Sequence, residues 1–124
     1  MFRVLFTVTG CFAIVLGIIL LLWPGAYLSL YVPRYDPNMP FAAQRLAPAI
    51  VGLGALLLLA RTLPAGPFAT RFAALTALVW FGVAATGVFH YATGVATSNI
   101  LIAGVAEVAL GVLFLGAARS HRAA

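Results

Sequence analysis

Three ionisable side chains stand where an otherwise apolar chain has least reason to put them. Glu107 interrupts LIAGVAEVALGV, Arg45 comes early in FAAQRLAPAIVGLGALLLLA, and His90 lies near the end of FAALTALVWFGVAATGVFHY. An acid, a guanidinium and an imidazole can build an ion pair, a proton path or the polar part of a small-molecule site. Their helical neighbours are mostly small. Glu107 has Ala103, Gly104, Leu110 and Gly111 within one turn; Arg45 has Phe41, Ala42, Pro48 and Ala49, with Gly52 further on; His90 has Thr86, Gly87, Thr93 and Gly94. Small residues mark faces where membrane helices approach closely. Each polar group is therefore expected to point into a bundle, and the three to converge. Gln44, Tyr91 and Asn99 are the nearest additional hydrogen-bonding groups.

Three arrangements of these groups stay open. Arg45 and Glu107 can form a buried pair that only fixes which helices meet. They can mark a ligand or proton path. Or Arg45 can reach the interface alone, leaving Glu107 protonated.

The elements that must position them follow from composition. The chain has 124 residues, 65% hydrophobic and 7% charged. A soluble domain carries about 25% charged residues, so there is too little here to cover a soluble surface. Four apolar runs, at about 4–23, 41–60, 72–91 and 99–118, each match the roughly 20 helical residues that a bilayer core requires. They predict an all-α membrane protein, a single four-transmembrane-helix bundle. The first run is too long for a signal peptide and ends in Trp-Pro-Gly rather than a small-residue cleavage site. Asn38 and Ser98 or Asn99 are candidate N-caps, Pro40 suits a first helical turn, and Pro48 should kink the second span. Arg119, Ser120, His121 and Arg122 read as a tail.

All seven basic residues are Arg, and most flank the apolar runs. With the N-terminus in the cytoplasm, Arg3, Arg61, Arg71, Arg119 and Arg122 fall inside, which the positive-inside rule favours. Both termini are then cytoplasmic, and residues 24–40 form an extracytoplasmic loop. Tyr27, Tyr31 and Tyr35 recur every fourth residue there, and the segment is expected to lie along the interface. On this topology Glu107 lies roughly 13 Å deep and Arg45 roughly 7 Å, at 1.5 Å per residue.

Several chemistries are excluded by inventory. Scattered arginines are topology signals and not a nucleic-acid patch. Lone Cys11 allows no intramolecular disulfide or thiolate cluster. Without Lys there is no retinal Schiff base, and one intramembrane His cannot ligate haem twice. One Glu cannot make a di-iron carboxylate site, and no Walker loop, GxSxG or HExxH occurs. No metal or catalytic residue is assigned.

An early Arg followed by glycines in RLAPAIVGLGALLLLAR, with a Glu in AEVALGVLFLGAAR, resembles the DoxX-like group of small bacterial four-helix membrane proteins. The resemblance implies a four-helix bundle in the inner membrane, with Arg45 and Glu107 as pattern positions. Some DoxX-like proteins are subunits of quinone-linked oxidoreductases, and most have no assigned activity. The expected function is a non-catalytic helix-bundle subunit or scaffold, with a membrane-protein partner or a second copy. The alternative is a binder of a small amphipathic ligand, a quinone or lipid, held near Arg45, His90 and Glu107. A proton or solute carrier using Glu107 is a further reading.

Overall fold

The structure, a computed structural model, describes the fold of residues 1–123. It is all-helical among those residues: α1 Phe2–Leu22, α2 Pro24–Leu28, α3 Met39–Ala60, α4 Pro67–Ala92 and α5 Asn99–Ala123. Four of these, α1, α3, α4 and α5, are long and apolar enough to cross a membrane. This is the build of a multi-pass membrane protein.

Helix limits follow local chemistry. α4 begins at Pro67, earlier than the apolar run, because proline at a first helical position sacrifices only an N–H that would be free anyway. α5 continues through Arg119–Arg122 instead of releasing a tail; cations in a last turn complement the partial negative charge of the helix end. α3 runs through Pro48, which is exposed. Asn38 occupies the N-cap position of α3 but makes no side-chain cap. The nearby side-chain bond is instead from Asn38 N–H to Asp36 Oδ1, 2.8 Å. Two residues past the last residue of α4, Gly94 turns the chain with a φ of 76° that only glycine adopts freely.

The helices pack mainly as two pairs, α1 with α3 and α4 with α5. The first pair is brought to backbone contact by glycine. A Cβ on Gly54 would stand 2.6 Å from the Gly10 carbonyl oxygen, and one on Gly10 would stand 2.9 Å from that of Gly54. Gly17 lies against Val51 and Ala47 in the same seam. In the second pair, Gly111 receives the ring of Phe81, with 2.6 Å from an added Cβ to the ring edge. Lipid tails are as apolar as leucine, so close backbone approach rather than water exclusion holds such pairs together.

The pairs join at the end that carries both termini. Phe6 and Phe114 are wholly buried there, with ring centroids 5.0 Å apart, and Phe2 stacks on Phe6 at 4.1 Å. Phe2 also stacks on His121 at 4.0 Å, which ties the first turn of α1 to the last turns of α5. At the opposite end, residues 23–38 cross the bundle as a strap. Leu30 O accepts hydrogen bonds from Thr97 Oγ1 (3.0 Å) and Asn99 Nδ2 (2.9 Å). Tyr31 O accepts one from Thr97 N–H (2.8 Å).

Candidate functional site

Beneath the strap the two helix pairs separate around a cavity of about 370 Å³. Ile50 and Leu53 of α3 face it from one side, and Ala103, Ala106, Glu107 and Leu110 of α5 from the other. Phe12 and Leu16 of α1 and Val79 and Trp80 of α4 complete the sides, while Tyr27 and Tyr31 come from the strap. The volume lies in the range of small-molecule sites, and a mostly apolar wall with a few polar groups is their usual make-up.

Glu107 is half-buried in this wall. Its helix aims it there because Gly104 and Gly111, one turn away on either side, both lie on the buried face of α5. Tyr27 and Tyr31 stack obliquely, ring centroids 4.9 Å apart. The Tyr27 phenol is pushed up to about 12, first by burial and then by Tyr31 and Glu107 beside it. Desolvation and neighbouring negative charge both oppose ionisation, so Tyr27 is a hydrogen-bonding phenol near neutral pH. Trp80 is 9% exposed, lies 6.4 Å from Phe12 between ring centroids, and keeps its Nε1–H without a partner. A buried donor left unpaired is costly. The wall therefore offers a carboxyl group and two phenols in an otherwise hydrocarbon and aromatic surround, while the Trp80 N–H is sealed in the packing behind it.

The six polar residues singled out from the sequence do not assemble as one cluster. Glu107 lines the cavity; Arg45, His90, Gln44, Tyr91 and Asn99 do not. Arg45 is exposed and makes no ion pair with Glu107 among the described residues. The reason is rotational. α3 buries Ala47, Gly54, Leu57 and Ala60, and Arg45 precedes Ala47 by two residues, about 200° round a helix of 3.6 residues per turn. Gln44 is exposed and donates from Nε2 to Leu21 O at 3.0 Å, closing the end of α1 on the start of α3. His90 and Tyr91 are exposed. The His90 ring stands edge-on to Phe89, and its carbonyl accepts from Val95 N–H (2.9 Å) and Ala96 N–H (3.1 Å). Asn99 uses its amide to fasten the strap and does not cap α5.

Three wall residues, Tyr27, Tyr31 and Trp80, are not marked as site residues by any pattern in the sequence. The spacing of the two tyrosines was visible, but it suggested an interfacial segment. Instead, the strap turns both rings inward. Trp80 carries no signal, because the apolar residues of α4 are spread over all its faces and single out no wall-facing one.

At the terminal end a second recess of about 620 Å³ lies between the start of α4 and the end of α5, bordered by Thr70, Arg71, His121 and Arg122. It is open and cationic, and no carboxylate is among its lining residues.

No protein-family model, curated protein or solved structure matches this chain.

Proposed function

We propose that this chain binds a small amphipathic molecule within the membrane, in the cavity under the strap. The observation that carries the reading is the wall itself: Glu107, Tyr27 and Tyr31 gathered with the aromatic residues Phe12 and Trp80 in a pocket otherwise made of aliphatic side chains. A bundle that merely held its helices together would gain by closing that space, because packing supplies its cohesion. A quinone or a lipid is a ligand of the right character. The arginine distribution supports a cytoplasmic location for both termini, in the inner membrane of a bacterium, with the strap on the outer side. The DoxX-like resemblance is consistent with this build and is offered as kinship, not as an activity.

A scaffold role keeps one observation in its favour. An added Cβ on Gly52 or Gly82 would meet nothing within 4 Å, so α3 and α4 each carry a notch on which another helix could rest. The two roles are compatible. The test is mild extraction of the whole chain, followed by solvent extraction and mass spectrometry, with a quinone absorbance scan. Binding predicts a small molecule carried by the wild type and reduced in Glu107→Ala, whereas Asp36→Ala in the strap retains it. Equal recovery from both variants and the wild type would remove the proposal. A stable partner chain with no bound small molecule would support the scaffold.

A further inference from the structure

We propose that the occupant of this cavity is a lipophilic organic cation, bound through its positive head to Glu107 and the aromatic rings around it. The proposal rests on the reading of the cavity as an amphiphile site and goes beyond it by naming the ligand's charge.

The cavity carries one acid and no base. Glu107 is the one Asp or Glu among the lining residues, and no Arg or His joins it there. An acid held in the membrane is costly unless it is paired, and the pairing with Arg45 does not form. A ligand carrying one positive charge would make the site neutral; an anion would add a second negative charge.

The wall is also rich in aromatic rings. Tyr27, Tyr31, Trp80 and Phe12 contribute four aromatic rings around the one acid. Aromatic faces attract cations, and most strongly where water is excluded; cages of this type recognise quaternary ammonium heads. Trp80, the best cation-binding ring type, is also the most deeply buried of these four with an exposure of 9%. The remaining residues are aliphatic, suited to the apolar part of the same molecule.

The test uses the full chain in a neutral detergent, carrying Trp23→Phe so that fluorescence reports Trp80 alone. The probes are tetraphenylphosphonium and its neutral relative triphenylphosphine oxide. Tetraphenylphosphonium should quench Trp80 saturably, and the neutral probe should bind about tenfold more weakly or worse. Glu107→Gln should weaken tetraphenylphosphonium by about tenfold or more and leave the neutral probe unchanged. Without the fluorescence reporter, Trp80→Leu should weaken the cation by about tenfold in equilibrium dialysis, in line with a desolvated cation–π contact. Equal binding of the two probes, insensitive to Glu107→Gln, would overturn the cation assignment while leaving an amphiphile site. Failure of both probes to reach Trp80 would overturn the cation assignment and the amphiphile site together. Thermal melts of each variant establish that it is folded before binding is compared.

Discussion

The two ends of the bundle use nearly the same apolar residues and differ in what lies between the helix pairs: packed aromatic rings beside an open apolar groove of about 450 Å³ at one, a cavity with polar groups in its wall at the other. At the terminal end Phe6, Phe114 and Leu57 are wholly buried and aromatic rings meet across α1, α4 and α5. At the strap end the walls stand apart around about 370 Å³, and Glu107, Tyr27 and Tyr31 face the gap. The difference separates the contacts that hold the helices together from the groups that add nothing to packing. The filled end and the glycine seam of α1 and α3 hold the fold, and the open end is free to carry a carboxyl group that contributes no packing.

The largest expected effects come from breaking the filled end. Gly54→Leu places a side chain where a Cβ would stand 2.6 Å from a backbone oxygen of α1, and the pair must part. Unfolding in detergent should show loss of the native state or a cost of about 3 kcal/mol or more, at the upper end of overpacking. Phe114→Ala should follow at about 2–3 kcal/mol, below the 3–5 typical of a water-soluble core because lipid-like surroundings replace water as the reference. Glu107→Gln should leave the melting temperature nearly unchanged. A destabilisation by Glu107→Gln as large as that of Phe114→Ala would erase the division between the ends.

Much of this division could not be read from the sequence. The four spans were legible because about 20 apolar residues in a row have one membrane solution. The inward aim of Glu107 was legible from Gly104 and Gly111. Arg45 was misplaced by the same rule. Ala42, Pro48, Ala49 and Gly52 are small too, yet α3 turns its other face to α1. Lipid tails are as apolar as a bundle interior, so the sequence leaves a lipid-facing small residue unmarked. The tyrosine direction depends on hydrogen bonds from Thr97 and Asn99 to Leu30, 67 and 69 residues away in the chain, and no local pattern encodes them.

Smaller effects sharpen the account of the strap. Asn99→Ala removes one of two side-chain donors to Leu30 O and should cost about 1 kcal/mol. Amide exchange should rise around residues 28–32 and stay unchanged around Phe6 and Phe114. A uniform rise throughout the chain would mean that the strap supports the whole bundle. Smaller still is an alkaline signature. The Tyr27 phenol is raised from 10.0 to about 12, so folding favours its neutral form. That contribution is fully present below pH 10 and is lost as pH rises through about 12. Tyr27→Phe should delete a phenolate absorbance step near pH 12 and reduce the loss of stability across that window; a step nearer 10 would place Tyr27 in water.

The central claim is that the space between Glu107, Tyr27 and Trp80 is a site. An experimental density map of the protein in lipid nanodiscs tests it most directly. Non-protein density is expected between these three side chains, with α3 and α5 held apart on either side of it. A map in which α3 and α5 close on one another, Arg45 meets Glu107 and no space remains would contradict it.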